Sequence, residues 1–168
     1  MKLLKIKDKY LTVVLFALYF LLLIWIILFK FNFTFEVGNY RDINLIPFGG
    51  SLIVNGNIQL DEIIKNILIF VPFGIYICML EPKWSFIKKI MPAFFTSLVV
   101  EILQYIFAIG ATDITELIGN TLGGIIGVGV FYLFAKLLKE KTNKFINILA
   151  LITTIIVVSF LSLIIVLN

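Results

Sequence analysis

In the stretch EILQYIFAIGATDITELIGN (101–120), five side chains could do chemistry: Glu101, Gln104, Asp113, Glu116 and Asn120. Three are carboxylates, which can divide acid and base roles when their surroundings push their proton affinities apart. Two are amides, each offering donors and an acceptor. The chain has no histidine and one cysteine, Cys78. That excludes zinc sites of the usual histidine type, histidine general bases, Ser-His-Asp triads and an intramolecular disulfide. Chemistry is left to carboxylates, amides, hydroxyls, lysines and the single Arg41. No cofactor and no resident metal is expected. An enzyme working here would take Glu101 as its buried acid and Asp113 or Glu116 as its more solvated base, with a hard divalent ion as the natural companion of such oxygens.

The spacing says how these groups meet. Glu101 and Gln104 are three apart and share one face of a helix, while Asp113, Glu116 and Asn120 follow an i, i+3, i+7 pattern on the next. Gly110-Ala111-Thr112 is a short link, so the two helices are antiparallel neighbours and their polar faces can touch.

The elements carrying them are strongly apolar. At 61% hydrophobic residues the chain exceeds the range of a soluble domain. Uncharged or nearly uncharged runs cover about 10–29, 61–80, 90–109, 113–135 and 145–167. Each is close to the roughly 20 residues that cross a bilayer core of about 30 Å. The sequence therefore predicts an all-α, polytopic helical bundle with five transmembrane helices and one membrane domain over 1–168. The first run is too long for a signal peptide and has no small-residue cleavage site after it. Pro72 and Gly74 predict a bent or broken second helix. FNFTFEV (31–37) alternates polar and apolar residues, as a half-buried extended segment does.

Basic residues cluster on one side. Four precede the first run, three lie between the second and third, and four between the fourth and fifth: eleven of fourteen. The positive-inside rule then puts the N-terminus inside and the C-terminus outside. Lysines placed this way orient helices, and no nucleic-acid partner is expected.

This topology gives the polar residues a common depth. Counting along the helices puts Glu101 roughly 12 Å, Asn120 roughly 10 Å and Asn66 roughly 8 Å below the outer surface. A charge at bilayer depth costs about 2.5–3.5 kcal/mol on insertion scales, so Glu101 needs a partner or a proton. Lys65 and Arg41 are the outer-side cations expected to serve it, with Lys30 at the interface. The plainer alternative is structural. Asn66, Gln104 and Asn120 would be interhelical hydrogen bonds worth about 0.6–2 kcal/mol each. Asp113 would be an acid at a helix N-terminus, with Thr112 as its cap. Gly119, Gly123, Gly124, Gly127 and Gly129 crowd the fourth run, and Gly123-x-x-x-Gly127 is a small-residue packing face. No strand precedes them, so they do not read as a nucleotide loop.

Four ordered elements resemble the VanZ-like family of membrane proteins. Arg41-x-x-Asn44-Leu45-Ile46-Pro47-Phe48 resembles its N-L-x-P-F element, and Asn66-x-x-x-Phe70-x-Pro72-x-Gly74 its second. Glu101-x-x-Gln104 resembles the third, and Asp113-Ile-Thr-Glu116-x-x-x-Asn120-Thr121-Leu122-Gly123 the last, often D-x-x-D-x-x-x-N-T-x-G. The match covers about 41–127. Glu116 stands where many members have Asp, and Ala111-Thr112 where many have an arginine nearby. The resemblance implies lowered susceptibility to lipoglycopeptides such as teicoplanin, without remodelling of the peptidoglycan precursor. The expected partners are membrane lipids and an amphiphilic glycopeptide or lipid-linked envelope molecule, met at an outward-facing polar pocket. Arg41, Asn44, Lys65, Asn66, Glu101, Gln104, Asp113, Glu116 and Asn120 are its expected binding residues. The alternative is a membrane-embedded, carboxylate-dependent enzyme acting on a lipid-linked envelope substrate.

Overall fold

The computed structural model describes residues 2–29, 43–47, 53–54, 57–58, 60–109 and 112–167. Lys30, FNFTFEV, Arg41 and the 110–111 link lie outside the described residues. Long helices dominate: α1 (Lys2–Phe29), α2 (Leu60–Leu80), α3 (Phe86–Phe107), α4 (Ile114–Leu138) and α5 (Thr142–Leu167). Four two-residue strands accompany them: β1 (Ile43–Asn44), β2 (Ile53–Val54), β3 (Asn57–Ile58) and β4 (Thr112–Asp113). β2 and β3 form a small antiparallel pair. β1 pairs in parallel with β4, Ile43 against Thr112 and Asn44 against Asp113.

Four separate helical stretches, not five, are long and apolar enough to cross a membrane among the described residues: Asp8–Leu28, Leu60–Leu80, Phe86–Phe107 and Ile114–Leu163. The last joins the two runs that the sequence separates. Residues 136–144 are charged but contain neither Gly nor Pro, and the chain stays helical through a 3-10 turn at Lys139–Lys141. The direction changes at Lys139, whose φ of 51° is the left-handed value.

Contacts give the relative directions. Phe16 of α1 meets Phe73 and Tyr76 of α2, and Tyr19 meets Ile69, so α1 and α2 are antiparallel. Thr12 meets Asn147, while Leu22 and Leu161 line one groove further along, so α5 runs the same way as α1. The main core, including Leu23, Phe70, Phe73, Ala93 and Val100, lies between α1, α2 and α3. Elsewhere large apolar side chains face outward, such as Leu68, Ile87 and Ile156. Lipid is the solvent that such a surface suits.

The tightest contact is the seam of α2 with α4. A Cβ on Gly123 would run into the Ile67 carbonyl and Phe70, one on Gly127 into the Val71 carbonyl, and one on Gly74 into the Gly124 carbonyl. Backbones pack here because side chains are absent. Gly129, by contrast, faces open space. Nor does Pro72 break α2, which is one continuous helix of 21 residues. Proline removes an N–H and crowds the preceding turn. In that turn the Ile69 carbonyl takes a bond from the Tyr19 hydroxyl, 2.6 Å away.

Candidate functional site

α3 brings Ser97, Glu101 and Gln104 onto one face, spaced i, i+4, i+7, and all three are buried, 0–2% exposed. At its end Ala108 takes the left-handed conformation (φ 53°), and the Ile109 N–H donates back to the Gln104 carbonyl, 3.1 Å. This is a Schellman-type stop. β4 lies beside α3, where the Thr112 hydroxyl donates to the Glu101 carbonyl, 3.1 Å.

Two carboxylates then take backbone N–H groups at the start of α4. Glu101 Oε2 accepts the Asp113 backbone N–H at 2.9 Å. Asp113 Oδ1 accepts the Thr115 N–H at 2.7 Å, making Asp113 itself the N-cap. Thr112 is therefore not the cap: its backbone is held in β4, and the carboxylate is the better acceptor for an amide at the positive end of a helix. Asp113 Oδ2 also accepts from Asn44 Nδ2, 3.2 Å, and Asn44 Oδ1 accepts the Ile46 N–H, 3.1 Å, in an Asx turn. The first and last sequence elements are thus held together by β1, β4 and one side-chain bond.

Deeper along α4, Glu116 is buried in the first turn and Asn120 lies one turn further, fully buried. Asn120 Nδ2 donates to Ser97 Oγ of α3 at 2.8 Å. Gln104 Nε2 donates to the Ile27 carbonyl of α1 at 3.0 Å. The opposite atoms of both amides, Gln104 Oε1 and Asn120 Oδ1, are buried and meet no donor among the described residues. A buried polar atom left in that state costs about 1–3 kcal/mol.

Two of the other expected residues lie on α2. Asn66 lies on α2 against Gly119, its Cβ 3.6 Å from where a Cβ at 119 would stand. Lys65 is not brought to Glu101. It is 68% exposed and pairs with Asp61 at 2.8 Å, one turn earlier on its own helix. The cause is spacing: residue 65 lies about 100° around the helix from 66, away from the seam. Arg41, three residues before Asn44, is outside the described residues. Ser97 and Thr115 join the cluster unforeseen, and the signal for Ser97 was its position one turn before Glu101. Among the described residues no three Asp, Glu, Cys or His side chains gather as a metal site requires. The cluster can accept hydrogen bonds, hold a proton or face a cation.

The VanZ/LLP1 family model matches residues 16–135 of the chain. The chain belongs to this family. Protein VanZ of Enterococcus faecium is 40% identical over 156 residues, which is 89% of this chain and 93% of that protein. No solved structure matches. The VanZ/LLP1 match spans every residue of the polar cluster and ends before α5.

Proposed function

We propose that this chain is a multi-pass protein of the bacterial plasma membrane that engages an amphiphilic envelope molecule at the outer end of the α3–α4 contact. The outcome is lowered susceptibility to lipoglycopeptides such as teicoplanin. One observation carries the reading: among the described residues no donor meets the buried oxygens of Gln104 and Asn120, in a chain whose solvent is lipid. A purely structural amide would have both ends satisfied.

The topology belongs to the same proposal. With the lysines of 2–9, 83–89 and 136–144 on the cytoplasmic side, the α3–α4 cluster lies in the outer leaflet. An amphiphile can keep its tail in lipid there while its head meets fixed polar groups.

The test is resistance in a sensitive strain expressing Glu101→Gln or Asp113→Asn at matched protein levels. Both are expected to lose resistance, and full resistance in both would refute the reading. The bond from the Asp113 peptide N–H to the Glu101 carboxylate, which brings two acidic residues together, also favours a second reading, a carboxylate-dependent enzyme acting on a lipid-linked substrate. Product formed by the purified protein would decide for it.

A further inference from the structure

A second feature lies away from the α3–α4 cluster, where α1, α2 and α5 line a groove. Leu18 and Leu22 of α1, Pro72 and Ile75 of α2, and Leu149 and Val158 of α5 form its walls, around about 450 Å³ of free space. Its lining extends along α5 from Ile146 to Leu161, a rise of about 22 Å. Each leaflet supplies about half of a hydrocarbon core of about 30 Å, so an extended lipid chain fits lengthwise. Spread over that length, the volume leaves a cross-section of about 20 Å². That is the width of one hydrocarbon chain, whereas a helix about 10 Å across needs roughly 80 Å². A helix from a second copy is too thick for it.

The lining residues Tyr19, Tyr76, Thr153 and Thr154 carry hydroxyls. Three spend them on carbonyls of the protein: Tyr19 on Ile69 at 2.6 Å, Thr153 on Leu149 at 3.0 Å and Thr154 on Ala150 at 2.8 Å. Tyr76 is 4% exposed, and its hydroxyl meets no hydrogen-bond partner among the described residues. It packs with Leu15, Met79 and Ile146 where α5 begins. Tyr76 lies about 6 Å from the end of α2 at Leu80, the depth of a lipid's ester groups and not of its chain ends. The same end carries Lys139, Lys141 and Lys144 just ahead of Ile146, with Glu140 as the only acid among them. A hydroxyl buried in hydrocarbon is costly until an acceptor reaches it. We infer that the groove holds one acyl chain of a phospholipid of the surrounding bilayer, its ester carbonyl accepting from the Tyr76 hydroxyl and its phosphate over the lysine-rich end. Lysines at a membrane surface attract such phosphates. This inference is independent of the amphiphile reading of the outer cluster.

The experiment is native mass spectrometry of the full chain in detergent, titrated with dioleoyl phosphatidylglycerol and with its diether analogue, which lacks the ester carbonyls. One diester lipid should be retained per chain, about fivefold more tightly than the diether, as one neutral hydrogen bond allows. Tyr76→Phe, which removes only the hydroxyl, should erase that preference and leave the melting temperature unchanged. Ala150→Phe fills the groove and should abolish retention, while Ile156→Phe, at a position 62% exposed on the same helix, should not. If Ala150→Phe fails to fold, Tyr76→Phe decides alone. Retention of the diester that is equal in all three variants and the unaltered chain would overturn the inference as annular lipid. Diether held as tightly as diester by the unaltered chain would remove the Tyr76 contact and overturn it too. A lipid-free dimer that Ala150→Phe converts to a monomer would overturn it in favour of a second copy.

Discussion

Two buried polar clusters join helices at opposite ends of this molecule, and they are built differently. Near the N-terminus of α1, Thr12 and Asn147 tie α1 to α5. Asn147 Nδ2 donates to the Asp8 carbonyl at 3.1 Å and to Thr12 Oγ1 at 3.0 Å. Thr12 Oγ1 in turn lies 2.9 Å from the Asp8 carbonyl and 3.1 Å from Asn147 Oδ1. That set is closed: every polar end has a partner. At the other end, Gln104 and Asn120 are as deeply buried, yet among the described residues each has one satisfied end and one open end. A closed set needs nothing from outside. An open set in lipid keeps a cost of about 1–3 kcal/mol per atom that a better structural solution would remove. On the proposed reading, the closed set holds the molecule together and the open set is kept for a ligand.

The α2–α4 seam is the tightest contact in the fold, so the largest effect should come from filling it. Gly123→Val sets a branched side chain against the Ile67 carbonyl and Phe70. Overpacking usually costs about 1–3 kcal/mol, and with backbone as the obstacle the cost should reach the top of that range or beyond. Little folded protein should survive detergent extraction and size-exclusion chromatography. A normal yield would show that the seam can move apart.

Next comes the closed cluster. Asn147→Leu removes an interhelical tie and should destabilise by about 1–2 kcal/mol, read as a lower melting temperature. Resistance per folded molecule should not change. If it falls, the closed cluster has a function too and the contrast breaks. Gln104→Leu should do the opposite. It loses the bond to Ile27 but also removes a stranded oxygen, so stability should shift by less than about 1 kcal/mol. Resistance should nonetheless fall. The smallest effect is expected from Lys65→Gln, which should leave both the melting temperature and resistance where they are. A loss of resistance there would restore Lys65 to the site.

Helical content and the family could be read from the sequence because both rest on repeated signals: long apolar runs and four ordered motif elements. The glycine seam was legible for the same reason, since Gly123 and Gly127 recur at one turn. Single positions were harder. Nothing local distinguishes Thr112 from Asp113 as the cap until β4 pairs Thr112 with Ile43. Two-residue strands carry no periodicity, so that pairing left no trace in the pattern. Lys65 and Asn66 are neighbours in sequence but lie on different faces of α2, which depth alone does not reveal. Lys89, counted with the loop lysines, is in fact buried, its Nζ donating to the Tyr132 hydroxyl at 2.9 Å and the Pro82 carbonyl at 3.2 Å. The merged stretch over α4 and α5 escaped because charge was taken as a break, while lysine, leucine and glutamate are good helix formers.

The central claim is that the open cluster exists for a ligand and not for the fold. Asn120→Leu tests it most directly, because it removes the stranded oxygen and the Ser97 bond together while keeping the side chain's bulk. Teicoplanin susceptibility should be measured for Asn120→Leu and Asn147→Leu in the same strain, normalised to folded protein in the membrane. The account predicts that Asn120→Leu is as susceptible as cells without the protein, while Asn147→Leu, though less abundant, stays resistant per molecule. Full resistance with Asn120→Leu at normal abundance would contradict it.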